Sequence, residues 1–184
     1  YERPQRGRYR QFDQIDVETL GSDDPQVDVE IIALGWRFFE RLGLSQVTLL
    51  LNSLGTQDER KAFTAALADH FGANLARLSE QSQATLQRNP LRVLDSKRPE
   101  DAEVIAAAPT IDQFYGPESA AHFAGVRAGL DRLGIPYTIS PRLVRGLDYY
   151  VATTFEYAGG TLDSAQNALG GGGRYDGLVE SLGG

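Results

Sequence analysis

The 184-residue sequence contains no cysteine, no methionine and only two histidines, His70 and His122. The missing cysteines exclude a disulfide framework, a thiolate zinc site and a cysteine nucleophile. Two histidines are too few for a histidine-rich metal site, and their spacing does not indicate a mixed site with carboxylates, so we predict no metal site built from side chains. No apolar run approaches the roughly 20 residues that cross a bilayer, and the start is not an apolar signal segment. These absences argue against an integral membrane protein.

The residues that are present are typical of a folded, soluble protein, with 41% hydrophobic and 23% charged residues. The length suffices for one sizeable core, or for a core and a small second unit. Because the chain has no methionine and opens inside what looks like a structured segment, we expect it to be a piece of a longer protein.

Charge is distributed unevenly along the chain. The formal net charge of −7 argues against a globally basic nucleic-acid-binding protein. Four arginines nevertheless stand within the first 12 residues, against one acid, Glu2. Guanidinium groups make planar, bidentate contacts with phosphate and carboxylate. The cluster therefore indicates an anion site, and a solvated surface is the alternative.

Apolar periodicity and turn signals predict strands in the two flanks and helices between them. Residues 4–7 are predicted to form the turn of a hairpin whose second strand covers residues 8–18. One face of that strand carries polar side chains and Phe12, and this face forms either the floor of a polar site or a surface exposed to solvent. The other predicted elements are helices over 57–71, 79–88, 99–107 and 117–133, an extended segment over 89–95, and strands over 47–51, 136–140 and 147–157. The helical middle predicts a unit inserted into a sheet-based domain.

The first helix has clear signals at both ends. Asp24 is predicted to cap it, Pro25 to occupy its first position and Gly43 to end it. The apolar spacing predicts a buried stripe along it, formed by Val27, Ile31, Leu34, Phe38 and Leu42.

Two segments near the end of the sequence carry unusual residues. The four glycines at 170–173 fit neither nucleotide-binding glycine motif; they allow another backbone or a flat ligand to approach closely, or they form a flexible turn. Arg145 and the tyrosines at 149–150 either share one cleft, or Arg145 pairs with Asp148 at the surface and the tyrosines pack at a sheet edge. Together, the arginines, carboxylates, phenols and glycine backbone suit an anionic, aromatic small molecule and electrostatic stabilisation of a reaction.

Three segments resemble motifs of the histidyl-tRNA synthetase family, which belongs to the class II aminoacyl-tRNA synthetases. They are YERPQRGRYRQF at 1–12, like motif 2, LVRGLDYY at 143–150, like the first histidine-specific signature, and GGRYDGL at 172–178, like the second. A fourth, NPLRVLDSK at 89–97, is similar to part of the family's insertion domain. The resemblance covers essentially the whole chain in order.

The resemblance implies an α+β fold, with a class II synthetase-type antiparallel sheet, flanking helices and a helical insertion domain. It implies a first part of the catalytic core over 1–55, the insertion over 56–139 and a second core part over 140–184. The implied reaction activates histidine with ATP, accompanied by Mg²⁺, and transfers it to tRNA(His). The implied complete protein is a cytoplasmic homodimer.

Roles on the ATP side follow from the same resemblance. Glu2 would accept from the adenine amino group, Phe12 would stack on the adenine ring and Arg8 would meet the terminal phosphates. Arg145 is the implied catalytic residue, because it would hold both the substrate carboxylate and the reacting α-phosphate. Arg174 is assigned to ATP binding as a phosphate contact, with a structural pair to Asp176 as the alternative.

Roles on the histidine side involve five further residues. Gln14 would contact the α-amino group, and Glu18 and Tyr150 would hold the two imidazole nitrogens. Tyr175 would line the same pocket, and Gly171 with its neighbouring glycines would keep it shallow.

The sequence departs from the family pattern in several ways. Asp13 stands where relatives usually carry histidine, and we expect a modest effect because strand alternation turns it away from Phe12. Motif 1, motif 3, the anticodon-binding domain and two active-site groups upstream of Tyr1 are not among the 184 residues. We therefore expect these residues alone to be inactive.

The alternative is a synthetase-like, histidine-sensing regulatory subunit of ATP phosphoribosyltransferase. Such a sensor shares the fold and part of the histidine pocket. It has no need of Glu2, Arg8 and Phe12, so their presence favours the enzyme.

Overall fold

The computed structural model describes residues 11–143, 149–160 and 167–183. Its α-helices are α1 (Pro25–Arg41), α2 (Gln57–Ala73), α3 (Glu80–Leu86), α4 (Ala102–Ala106), α5 (Pro117–Arg132) and α6 (Leu178–Ser181). Its strands are β1 (Val47–Ser53), β2 (Thr138–Ile139), β3 (Val151–Gly159) and β4 (Ala168–Arg174). Short 3₁₀ helices cover Leu75–Arg77, Pro90–Asp95, Pro99–Asp101 and Ile111–Phe114.

The four strands form one sheet in the order β2-β1-β3-β4. β3 pairs antiparallel with both β1 and β4, whereas the two-residue β2 runs parallel to β1. Helices flank this sheet, so the predicted α+β class is confirmed. Within the described residues, no helix combines the length and the apolar character needed to cross a membrane.

The predicted ends of helix α1 are confirmed, but the prediction of its buried face was wrong. The Asp24 carboxylate accepts from the Gln26 backbone N–H at 2.8 Å, and Gly43 follows the helix at a φ of +76°. The buried residues are Val29, Ile32 and Ala33, so the predicted stripe was wrong. α1 packs against both α5 and the sheet through these buried residues, so Leu34, Phe38 and Leu42 on its outer side remain 47%, 41% and 59% exposed.

Buried side chains form two separate cores. One unites α1, β1, β3 and α5 around Ile32, Leu51 and Val126. The other lies within residues 63–111, around Phe71 and Val93. We call the first group of elements the sheet unit and the second the helical unit. The insertion boundary at residue 139 stays a prediction, but the packing groups α5 with the sheet unit.

Two other local predictions were wrong in the part of the chain that the structure describes. Residues 11–20 form no strand, and none of the four strands of the described sheet pairs with them. Residues 90–95 form a 3₁₀ helix rather than an extended segment, because the Asn89 side chain accepts from the Leu91 N–H at 3.0 Å and Pro90 occupies the first position.

Candidate active site at the ends of β3 and β4

The antiparallel pairing of β3 and β4 brings three tyrosines together. Val151, the first residue of β3, pairs with Arg174, the last residue of β4. Tyr149 and Tyr150 precede β3, and Tyr175 follows β4. The Tyr149 ring centroid lies 4.7 Å from that of Tyr150 and 5.8 Å from that of Tyr175. The sheet register therefore creates this aromatic cluster from segments that are distant in sequence.

An irregularity at the start of β3 fixes the backbone next to Tyr150. Ala152 adopts a φ of +46°, in the left-handed region that non-glycine residues seldom occupy, and the β3–β4 register shifts there. Its backbone N–H donates to the Gly55 carbonyl at 2.8 Å. From α2, the Arg60 guanidinium donates to the Tyr150 carbonyl at 3.0 Å. Both contacts anchor the Tyr150 segment to residues that follow β1.

The glycine run is part of strand β4 and not a flexible turn. A Cβ on Gly173 would lie 2.9 Å from the Tyr150 ring and 2.8 Å from the Thr153 carbonyl, and a Cβ on Gly172 would lie 3.0 Å from the Phe155 ring. At Gly173 a Cβ would force its neighbours to shift, and at Gly172 the Phe155 ring would have to move by a few tenths of an ångström. The first of the two explanations therefore holds, since glycine permits the close approach of neighbouring groups.

All seven predicted site residues that lie within the described part of the chain line one groove of about 1320 Å³. They are Phe12, Gln14, Glu18, Tyr150, Gly171, Arg174 and Tyr175. The groove runs between residues 12–23, α1 and the strands β3 and β4. Glu2, Arg8 and Arg145, and the proposed Arg145–Asp148 pair, fall outside the described residues.

Within the groove, Glu18 and Tyr175 contact each other directly. The Tyr175 hydroxyl donates a short hydrogen bond to the Glu18 carboxylate. This bond, assisted by burial and by the negative charge of Glu18, raises the pKa of Tyr175 to about 12. The Gln14 amide donates to Asp16 at 2.6 Å, and the Phe12 ring is 70% exposed. The groove thus offers an exposed aromatic ring, Phe12, and a carboxylate, Glu18, that is held by a phenol.

Arg174 lies beside this pair and is enclosed by acceptors. Its Nη2 is 2.7 Å from Asp28 Oδ1, and its side chain is 7% exposed. Nη1 is 3.4 Å from Asp176 Oδ1. The structural alternative predicted for Arg174 is therefore favoured over the phosphate contact, with Asp28 as a closer partner than Asp176.

Sequence reasoning missed Asp28 and Arg60. Asp28 is an acid in the first turn of a helix, where acids are common for reasons of the helix dipole, so nothing in the sequence marks it as a partner of Arg174.

No group of three or more metal-binding side chains occurs among the residues that the structure describes.

Comparisons with known proteins identify the family of the chain. A family model described as Histidyl-tRNA synthetase matches residues 1–184, which is the whole chain. The chain belongs to the histidyl-tRNA synthetase family. Its sheet and flanking helices are therefore those of a class II synthetase fold, as predicted.

Named relatives support the family assignment. The histidine–tRNA ligase of Novosphingobium aromaticivorans is 51% identical over 189 residues, covering 100% of this chain and 45% of the relative. That of Bacillus subtilis strain 168 is 49% identical over 185 residues, covering 100% of this chain and 44% of the relative. The chain thus spans less than half the length of these relatives.

Two solved structures show the same fold. The apo histidyl-tRNA synthetase of S. aureus is 38% identical with a TM-score of 0.66, covering 89% of this chain and 40% of that one. A Bacillus halodurans protein titled ATP phosphoribosyltransferase regulatory subunit/histidyl-tRNA synthetase is 22% identical with a TM-score of 0.54, covering 89% of this chain and 46% of that one. The second likeness concerns the fold alone and does not distinguish an enzyme from a sensor.

Proposed function

We propose that the complete protein containing this chain is a histidine–tRNA ligase, which activates histidine with ATP and transfers it to tRNA(His). The observation that carries the proposal is the identity of about half of all residues, over the whole chain, with relatives named histidine–tRNA ligase. The groove supports the proposal, because the seven described residues to which the resemblance gives a role line it together.

Histidine recognition is assigned to Glu18 and Tyr150. A neutral imidazole offers one N–H donor and one acceptor nitrogen. The Glu18 carboxylate accepts the ring N–H, and the Tyr150 hydroxyl donates to the other nitrogen. Tyr175 holds Glu18 through its own hydroxyl, and Gln14 contacts the α-amino group. Such a site rejects apolar analogues because they would leave its polar groups unpaired.

ATP, with its accompanying Mg²⁺, is proposed to bind as a substrate in the same groove, at the Phe12 ring. The exposed Phe12 ring is available to stack on adenine. Glu2 would accept from the adenine amino group and Arg8 would contact the terminal phosphates. In the adenylation step the histidine carboxylate oxygen attacks the α-phosphorus and pyrophosphate leaves, so Arg145 stabilises charge that builds on the phosphoryl oxygens.

The partner tRNA(His), the homodimer and the cytoplasmic location are further proposals, made from the family resemblance. None of the residues that the structure describes has a proposed role in tRNA binding, dimer formation or cellular location. They are tested separately, by charging of tRNA(His), by the mass of the complete protein in solution and by its location in cells.

Histidine-dependent ATP–pyrophosphate exchange by the complete protein tests the proposed function. We expect exchange with histidine and charging of tRNA(His), whereas a sensor would give neither. Arg145→Ala should lower kcat for exchange by about 100-fold or more, since loss of one such donor costs about 3 kcal/mol of transition-state stabilisation. Arg145→Lys should rescue only in part, because it lacks the planar fork. Near-normal exchange by Arg145→Ala would refute its catalytic role.

A further inference from the structure

The Asp28 carboxylate, in the first turn of α1, connects α1 with three other elements near the tyrosine cluster. The Asp28 side chain is 10% exposed. Its Oδ1 accepts from Arg174 Nη2 at 2.7 Å and from Arg174 Nε at 3.1 Å. Its Oδ2 accepts from the Thr153 hydroxyl at 2.6 Å and from His122 Nε2 at 2.7 Å. Asp28 thus connects α1 with α5, β3 and β4.

The carboxylate is suited to hold a buried cation. Burial by itself raises the pKa of Asp28, but the hydrogen bonds from His122, Thr153 and Arg174 outweigh burial and bring this pKa below its ordinary value. Asp28 is therefore ionised at neutral pH. It provides the negative charge next to a guanidinium whose own side chain is almost entirely enclosed.

All five N–H donors of Arg174 are engaged by protein oxygens. Nε and one hydrogen of Nη2 go to Asp28, and the second Nη2 hydrogen goes to the Asp24 carbonyl at 3.2 Å. Nη1 donates to the Ser22 carbonyl at 2.9 Å and to Asp176 at 3.4 Å. A guanidinium with no unused donor holds its neighbours in place rather than binding a phosphate.

These contacts hold the chain segments on both sides of the hydrogen bond between Glu18 and Tyr175. Tyr175 directly follows Arg174, so fixing Arg174 fixes the end of β4 from which the Tyr175 side chain extends. On the other side, Arg174 holds the carbonyls of Ser22 and Asp24, shortly after Glu18. One guanidinium therefore sets the separation of the two segments that supply the phenol and the carboxylate.

We propose that Asp28 is a positioning residue for histidine recognition, which acts through Arg174 to hold Glu18 and Tyr175 against the imidazole. The proposal rests on the function proposed above and goes beyond it, because it gives a role to Asp28, whose two carboxylate oxygens are already engaged by Arg174, Thr153 and His122. It assigns Arg174 to histidine selection and not to ATP binding.

The test is Asp28→Asn in the complete protein, assayed by ATP–pyrophosphate exchange well below its unfolding temperature. Asparagine keeps the shape of the side chain and removes the charge that holds Arg174. We expect KM for histidine to rise about tenfold or more and KM for ATP to stay within about twofold. A KM for histidine within about twofold of wild type would overturn the proposal, and so would a rise confined to KM for ATP.

Two matched controls separate positioning from general destabilisation. Asp58→Asn makes the same change in the first turn of α2, where Asp58 is 91% exposed and pairs with Lys61, and it should leave both KM values unchanged. Asp101→Asn removes another buried carboxylate, which lies in the helical unit and is not among the residues that line the groove. It should lower the melting temperature while leaving KM for histidine unchanged; a rise equal to that of Asp28→Asn would contradict positioning.

Coupling to Tyr175 provides a second readout. If Asp28 acts through the Tyr175–Glu18 bond, the rise in KM caused by Asp28→Asn should be smaller in a Tyr175→Phe background than in wild type. If the two substitutions instead raise KM independently, so that their effects multiply, this route is contradicted.

Should Asp28→Asn fail to fold, Thr153→Val removes only one hydrogen bond to Asp28, and we expect a rise of about threefold in KM for histidine. No rise would count against the proposal.

The two proposals fail in different ways. Failure of the proposed function appears in the unmodified complete protein, as the absence of histidine-dependent exchange. Failure of the positioning role appears only in the variants, as histidine kinetics that do not respond to the loss of Asp28.

Discussion

Each unit of the molecule contains a carboxylate that is largely shielded from solvent, Asp101 in one and Asp28 in the other, and the two have different hydrogen-bond partners. In the helical unit, Asp101 is fully buried and accepts from the Ser79 N–H at 2.7 Å and from the hydroxyls of Ser79, Ser82 and Ser96 at 3.0, 2.6 and 2.5 Å. In the sheet unit, Asp28 binds the guanidinium of Arg174, 146 residues away in sequence.

The difference shows what each carboxylate does. The partners of Asp101 are neutral and lie within 22 residues of it, so they join short turns of one local region. The partners of Asp28 include a cation and come from three other elements, two of which end beside the tyrosine cluster. A local carboxylate stabilises its own unit, whereas a long-range ion pair sets the separation of segments that must meet a ligand.

The largest expected effect comes from breaking the long-range pair. Asp28→Ala leaves Arg174 buried without its main counter-charge, and loss of one partner of a buried pair costs about 3–5 kcal/mol. We expect the free energy of unfolding of the complete protein, measured with denaturant, to fall by that amount. Asp58→Ala, at an exposed pair, should cost less than about 1 kcal/mol. Equal losses would remove the distinction between the two pairs.

Glycines provide a second contrast between the units. Gly173→Ala places a Cβ 2.8 Å from the Thr153 carbonyl and 2.9 Å from the Tyr150 ring, so we expect a loss of up to about 3 kcal/mol from overpacking. Gly72→Ala, in α2 with nothing within 4 Å, should gain about 0.5–1 kcal/mol, because alanine favours helix. Thermal unfolding measures both, and a well-tolerated Gly173→Ala would show that the rings at the end of β4 pack loosely.

The acid sensitivity of Asp101 gives a smaller effect. Although burial raises its pKa, the hydrogen bonds from Ser82, Ser96 and Ser79 lower it from 3.8 to about 2. A lowered folded-state pKa contributes stability that is complete above pH 3.8 and is lost as the pH falls through about 2, and the shift corresponds to about 2 kcal/mol. Asp101→Asn should remove that contribution and flatten the acid limb of a stability–pH curve. An unchanged acid limb would argue that Asp101 is not ionised in the folded state.

The sequence predicted local features well and long-range ones only through motifs. Asp24, Pro25 and Gly43 marked the ends of α1, because capping depends on adjacent residues. The buried face of α1 was mispredicted because it depends on where α5 and the sheet lie. The absence of a strand at 11–20 was also missed, because strand formation depends on a neighbour that periodicity cannot identify.

The residues of the candidate site also fall into those that the sequence identified and those that it did not. Glu18, Tyr150 and Tyr175 were identified through a family resemblance, and the structure brings them to one groove. Asp28 carried no signal, because its role depends on a pairing across 146 residues. For Arg174 the sequence left two roles open, and the structure favours the structural one through the close pair with Asp28 and the engagement of all five N–H donors.

Histidine is selected, on this account, by the Glu18 carboxylate, and the most direct test is kcat/KM for histidine in ATP–pyrophosphate exchange by the Glu18→Gln variant of the complete protein. Glutamine preserves the size of the side chain but weakens the acceptor for the ring N–H and for Tyr175. The account predicts that kcat/KM for histidine falls by about 100-fold or more while KM for ATP stays nearly normal. Unchanged kcat/KM for histidine would contradict it and remove Glu18 from the pocket.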